Sequence, residues 1–353
     1  MRLFFFCSEL DDFVNAYLFR YEFFRYCKAR GFGLDQVVVE KSDRLDVELS
    51  PRPGIDGSCG KNIVLSSADG PLLGKLTNQA ALNARGYDVA LFFGLSGYLL
   101  KFIDTAGGRI RIIVFDAHFL RGLGPLFEVF GMDRVMGLLG RVEIVTPYGP
   151  SFLERYEALG FRKDMVTCIL QPVSGEFFSP GRNKKEETGI LVAPGETGRD
   201  FECLETACRG FPGDVIVAGG DAGLAFQANR ETKTGRPDNM KYLGRLRYFE
   251  YRDLLERAQI VVLPLNDMNC GLVSLSMSMS LAKTIVATRT AFTEAYAASG
   301  GLKLVAEGDF VALREAILEL MESPDKRAEL EEKALYFAGR ELRSRALFEK
   351  MFG

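Results

Sequence analysis

Apolar residues in this chain fall into two rhythms. Short continuous runs rich in Val, Ile, Leu and Phe recur at residues 2–7, 36–39, 63–66, 89–93, 110–115, 142–146 and 165–170, and again at 189–193, 215–218, 240–243, 260–263, 285–287 and 303–305. Between many of them the apolar positions spread to helical spacing, as at 13–30, 152–159, 201–209, 251–258 and 310–322. Runs that are apolar throughout suit strands of a parallel sheet buried on both faces, and strands alternating with helices predict right-handed crossovers in a doubly wound α/β sheet. The clearest unit is IVVLP at 260–264, followed by a polar loop at 265–274, a small-residue helix and the run at 285–287. A loop after such a strand lies at the carboxyl edge of the sheet, where open α/β folds bind ligands. Polar stretches at 42–60 and 221–239 read as surface excursions, and 181–188 reads as a linker.

Composition narrows the picture. The 353 residues, 47% of them apolar, suffice for two cores, and a net charge of -3 gives no electrostatic footprint for nucleic acid. Seven scattered cysteines without a C-x-x-C pair read as reduced thiols of a cytoplasmic protein. No run approaches the roughly 18 apolar residues of a spanning helix, and the start, MRLFFFCSELDD, is too short in its apolar part for a signal peptide. Two segments bear on membrane contact. The helix at 13–30 interleaves Phe19, Tyr21, Phe23, Phe24 and Tyr26 with Arg20, Arg25, Lys28 and Arg30, which fits either a helix covering the sheet or one lying against anionic headgroups. The glycine-punctuated segment 119–141, with Arg121, Arg134 and Arg141, reads either as a cap on the sheet or as part of a lipid-facing surface.

Candidate chemistry gathers at strand ends. His118, the only histidine, follows the run ending at Phe115, and Asp11 and Asp12 follow the first strand, where an acid could accept a proton from a hydroxyl. The loop Pro194-Gly195-Glu196-Thr197-Gly198-Arg199-Asp200 leads into a helix; its glycines allow close backbone approach to phosphate, and Arg199 with the helix amino terminus would neutralise it. Gly219 closes the next strand, and Gly244 and Arg245 form the turn after 240–243. No cluster of His, Cys and carboxylates has metal-ligand spacing.

Several segments, in order, carry a family likeness. Ser278-Met279-Ser280-Leu281-Ala282-Lys283-Thr284-Ile285-Val286 resembles the "A-M-A-L-G-K-P-V-V" segment of glycosyltransferase family 4 and its GT-B relatives, with Gly271 near the glycine that opens the helix. Thr146 through Pro180 resembles the family hinge, Arg199-Asp200-Phe201 an "R-D-F" phosphate loop, Tyr242-Leu243-Gly244 the base-binding turn, and 290–296 the "G-x-x-E-x-V" turn.

The resemblance implies an α/β GT-B fold: two Rossmann-like doubly wound domains facing across a cleft, with the last helix returning to the first domain. It places an acceptor-side domain at 1–180, a linker at 181–188, a nucleotide-sugar domain at 189–338 and the returning helix at 339–353. The implied function is metal-independent hexosyl transfer from a UDP- or GDP-sugar, a co-substrate with no further cofactor, to a glycan, lipid-linked or small-molecule acceptor in cell-surface polysaccharide or glycoconjugate synthesis. The protein would then be cytoplasmic, or peripheral at the inner face of the membrane. Gly195, Arg199, Gly219, Gly244, Arg245, Asn269, Gly271 and Ser274 would hold the donor, and His118, Asp11 and Asp12 would face the sugar and acceptor. The sequence departs from the family at its paired glutamates, which fall at Asn269 and Met277, or at Cys270 and Ser278 if the alignment slides by one. That loss supports an alternative, a catalytically inactive relative that partners an active enzyme. A nucleotide-sugar epimerase of the same fold would need more histidines than one.

Overall fold

The apolar runs are strands, and every strand pairs in parallel. The computed structural model describes residues 1–7, 14–40, 62–66, 80–81, 86–94, 96–107, 110–115, 119–146, 153–181, 186–231, 237–266 and 272–352. Contacts divide the chain into two units, Met1–Ile169 and Leu170–Gly353.

The first unit is built on β1 (Arg2–Cys7), β2 (Gly33–Glu40), β3 (Asn62–Ser66), β4 (Val89–Phe93), β5 (Arg111–Phe115), β6 (Glu143–Thr146) and β7 (Val166–Cys168), in the order β3-β2-β1-β4-β5-β6-β7. β2 begins earlier than its apolar residues suggest, because Gly33–Asp35 pair with Arg2–Phe4 and the ladder extends the strand. Helices α1 (Val14–Ala29), α2 (Gly97–Ala106), α3 (Phe119–Phe130), α4 (Met132–Leu139) and α5 (Leu153–Ala158) connect the strands. α1 lays Phe23 against Phe5, ring centroids 5.6 Å apart, and turns Arg25 and Lys28 outward, as a helix covering a sheet should; Arg30, just past its end, is exposed too. α2 starts at an N-cap, where the Leu99 N–H donates to Ser96 Oγ at 3.3 Å, and stops at Gly107 in the left-handed region. The segment 119–139 is two helices broken at Gly131 (φ 80°), burying Leu123, Leu126, Val135, Leu138 and Leu139. No helix among the described residues is long and apolar enough to cross a membrane.

The second unit holds β8 (Ile190–Pro194), β9 (Asp214–Ala218), β10 (Met240–Tyr242), β11 (Ile260–Leu263), β12 (Thr284–Thr288) and β13 (Lys303–Val305), in the order β10-β9-β8-β11-β12-β13. Every residue of β8, β11 and β12 is buried, which is why these runs show no alternation. Its helices are α6 (Phe201–Cys208), α7 (Gly220–Glu231), α8 (Tyr248–Arg257), α9 (Leu272–Ser280), α10 (Ala291–Ala297), α11 (Phe310–Glu322), α12 (Pro324–Phe337) and α13 (Ser344–Phe352). α7 replaces most of the polar excursion expected at 221–239. Its apolar stripe is too thin to read from sequence: Phe226 packs on Phe201 and Tyr242 at 5.4 and 6.2 Å, whereas Leu224 is exposed. Cys168, Cys203 and Cys208 are free thiols, and burial pushes Cys208 up to about 12, so it stays protonated.

The hinge-like segment after Ile169 is bound into the second unit. The Val173 N–H donates to the Leu342 carbonyl at 2.8 Å, the Ser344 N–H returns to the Val173 carbonyl at 3.2 Å, and the Arg343 guanidinium donates to the Gly175 carbonyl. Arg252 on α8 donates to the Ser179 carbonyl at 3.3 Å while lying over the Phe177 ring at 5.5 Å.

α9 ends in a Schellman turn: the Lys283 N–H reaches the Ser278 carbonyl and the Ala282 N–H the Met279 carbonyl, both at 3.0 Å. The residue that must turn left-handed is Ala282, φ 53°, the one non-glycine residue with positive φ among those described. The resembling family segment has glycine there, and a Cβ in this region costs about 1–2 kcal/mol. Ala282→Gly is therefore expected to stabilise the protein by up to about 1 kcal/mol, the relief exceeding glycine's extra unfolded-state entropy, and chemical denaturation reads it directly.

Candidate functional site at the carboxyl edge of the second sheet

The second sheet reverses strand order between β8 and β11, the crevice where open α/β sheets take ligands. The loops leaving these two strands are laced together. Arg199 and Leu265 form an antiparallel bridge, the Asp200 N–H donates to the Pro264 carbonyl at 2.9 Å, and the Asn266 N–H donates to the Gly198 carbonyl at 3.1 Å. β12 joins them through Thr288, whose Oγ1 accepts from the Leu265 N–H at 2.8 Å. Asp200 then caps α6, accepting from the Cys203 N–H at 2.9 Å.

Arg199 sits at the centre of this junction, 8% exposed. Its Nε donates to the Pro194 carbonyl and its Nη1 to the Thr197 carbonyl, both at 2.9 Å, and its Nη2 reaches Ser274 Oγ at 3.3 Å. The guanidinium thus bonds its own loop to the first turn of α9 and holds a full positive charge beneath the edge. Gly195 makes room for it: with φ 104°, a Cβ there would overlap the Arg199 guanidinium. The glycine is required by the arginine as well as by the turn. Ser274, 6% exposed, has a second partner that the sequence did not suggest, Tyr251 of α8, whose hydroxyl lies 2.9 Å from Ser274 Oγ. Burial raises the Tyr251 pKa, so the phenol keeps its proton.

The neighbouring loop is arranged differently. Glu196 places its carboxylate at the amino terminus of α7, accepting from Asp221 N–H at 3.1 Å and Ala222 N–H at 3.4 Å. Gly220, φ 55°, gives it space: a Cβ would stand 2.8 Å from Glu196 Oε2. Arg245 pairs with Asp221 at 3.1 Å and Glu196 at 3.7 Å. This helix terminus therefore holds the chain's own carboxylate, which repels a second anion, whereas Arg199 offers positive charge to one. Gly219 serves packing, since a Cβ would come within 3.0 Å of Phe201 Cζ and 2.9 Å of Gly223 Cα. A Cβ on Gly244 would meet Leu224 Cδ1 at 3.3 Å, so the turn lies against an exposed leucine.

Of the residues singled out from sequence, Arg199, Gly195 and Ser274 come together, and Gly219, Gly244 and Arg245 line the adjoining edge. Asp11, Asp12, His118, Asn269 and Gly271 lie outside the described residues. At the two described positions standing for the family's second glutamate, Met277 is buried, and Ser278 is buried with its hydroxyl donating to the Ser274 carbonyl at 2.7 Å. Neither is placed to bind as a carboxylate would. No group of three or more His, Cys, Asp or Glu among the described residues could hold a metal ion.

No protein-family model matches the sequence, and no curated protein matches it. Solved structures do. The chain is similar to HepE of Anabaena in complex with UDP, at 12% identity and TM-score 0.73 over 99% of this chain and 98% of that one. It is similar to sucrose-phosphate synthase from Thermosynechococcus elongatus, at 13% identity and TM-score 0.68 over 99% and 97%. A third is WaaG, a glycosyltransferase involved in lipopolysaccharide biosynthesis, at 13% identity and TM-score 0.64 over the whole of both chains. The likeness establishes the fold, which is GT-B.

Proposed function

We propose that the protein is a glycosyltransferase that takes a sugar from a UDP-sugar and passes it to a glycan or lipid-linked acceptor. The observation that carries this reading is Arg199, a buried guanidinium bonded to Ser274 at the strand-order switch of the second sheet. Its charge, the Ser274 hydroxyl and the amino terminus of α9 together suit a diphosphate, whose negative charge grows as the sugar departs. HepE, of the same fold, is solved with UDP and with UDP-glucose, which favours uridine as the base. The rest of the donor site is assigned from sequence, with Asn269 and Gly271 on the donor loop and His118, Asp11 and Asp12 toward sugar and acceptor. Without the glutamate pair, rate acceleration rests on positioning and on stabilising the leaving diphosphate. A lipid-linked acceptor is favoured by WaaG's role in lipopolysaccharide synthesis and by the exposed Val129, Phe130 and Met132 around Gly131 in the first unit.

Melting temperature against UDP, GDP, ADP, TDP and their sugars tests the reading. A nucleotide at about 100 times its dissociation constant adds roughly 2.7 kcal/mol to the folded state, or roughly 5–10 °C for a unit of this size. UDP and a UDP-sugar are expected to give that rise, with release of UDP from the sugar nucleotide on incubation. No response to any nucleotide would overturn the proposal, and binding without turnover would move the protein to the binding-partner reading.

A further inference from the structure

Resting on the donor site just described, the geometry points to a further positioning residue, Tyr251, which orients the Ser274 hydroxyl toward the donor diphosphate. A serine hydroxyl carries one hydrogen and two acceptor lone pairs. Arg199 Nη2 takes one lone pair of Ser274 at 3.3 Å, and the Tyr251 hydroxyl stands 2.9 Å away on the same oxygen. Two arrangements satisfy these contacts. Either Ser274 donates to Tyr251 and has no hydrogen left for a ligand, or Tyr251 donates to Ser274 and the serine hydrogen is released. An incoming phosphate oxygen selects the second, because only that arrangement offers it a donor. Ser274 would then accept from a cation and from a phenol at once, which polarises its O–H and strengthens the bond it makes to an anion.

Tyr251 suits the task because it is half-buried against Ser274 and retains its proton. It comes from α8, 23 residues away from Ser274 in sequence, and so holds the first turn of α9 from an element other than Arg199's loop. Ser278 fixes the same turn from below through its bond to the Ser274 carbonyl. The serine's backbone and oxygen are thus held independently of ligand, and only its hydrogen is switched.

The experiment is UDP and uridine binding by calorimetry to the wild-type protein, Tyr251→Phe, Ser274→Ala and the double variant, with the unliganded melting temperature of each. Loss of one neutral hydrogen bond corresponds to about five- to tenfold in affinity. Tyr251→Phe is expected to weaken UDP by about that factor, to leave uridine, which has no phosphate, unchanged, and to add nothing once Ser274 is alanine. Tyr251→Phe binding UDP as the wild type does, weakening uridine equally, or adding its full effect to Ser274→Ala would overturn the inference and leave the donor site standing. Failure of the wild-type protein to bind UDP would remove both.

Discussion

Arg199→Ala is expected to abolish the UDP-dependent rise in melting temperature and to weaken UDP by at least about 100-fold, or about 2.7 kcal/mol. Two losses combine. The diphosphate loses a buried positive charge, whose influence is poorly screened at 8% exposure. Ser274, the Pro194 carbonyl and the Thr197 carbonyl lose their shared donor, which loosens the loops that the Arg199–Leu265 bridge joins. The unliganded protein should therefore also lose stability, by about 2 kcal/mol. Arg199→Lys separates the effects: it keeps the charge but not the planar fork, so an intermediate loss of about tenfold is expected. Titration calorimetry of both variants against UDP measures this, and an alanine variant that still binds UDP like the wild type would reduce Arg199 to a loop fastener.

A large stability effect is expected away from the site, at Gly301. A Cβ there would overlap the backbone N and Cα of Ala334 on α12, and neither atom can step aside without moving the helix. Overpacking against backbone puts the cost of Gly301→Ala at about 3 kcal/mol, or a fall of roughly 6–12 °C in melting temperature. Gly339, with nothing within 4 Å of its would-be Cβ, supplies the control, and Gly339→Ala should leave the melting temperature nearly unchanged. Equal behaviour of the two variants would mean that α12 is free to shift.

What the sequence disclosed follows from which signals are local. β8, β11 and β12 are buried on both faces, so their unbroken apolar runs announced both the strands and the parallel sheet, and the loops after them announced the edge. Arg199 could be singled out because its loop follows such a strand, and Ser274 because its loop resembles the family's donor loop. Tyr251 could not, because an aromatic residue on an amphipathic helix reads as packing and its partner is remote in sequence. The same applies to Glu196, and to the partners of Arg245. The arginine's place beside a turn suggested a contact with the base, whereas its ion pairs with Glu196 and Asp221 arise only when the ends of β8, β9 and β10 are brought side by side. α7 was hidden for a related reason, since Phe226 alone anchors to the aromatic pair Phe201 and Tyr242. Gly195 was legible as a turn, but its need to clear a guanidinium was not.

The lacing of Val173 to Leu342 and Ser344 brings the beginning of the second unit against the turn that opens its last helix. A stretch of chain whose start is tied to its closing segment can be lifted out and set into another protein with little strain at the junction. Residues 170–353 have the form of an exchangeable cassette: the segment carrying Arg199, Ser274 and Tyr251 could be recombined with a different partner segment while its own fold stays closed. Whatever precedes Leu170 could then be exchanged while Arg199, Ser274 and Tyr251 stay in register.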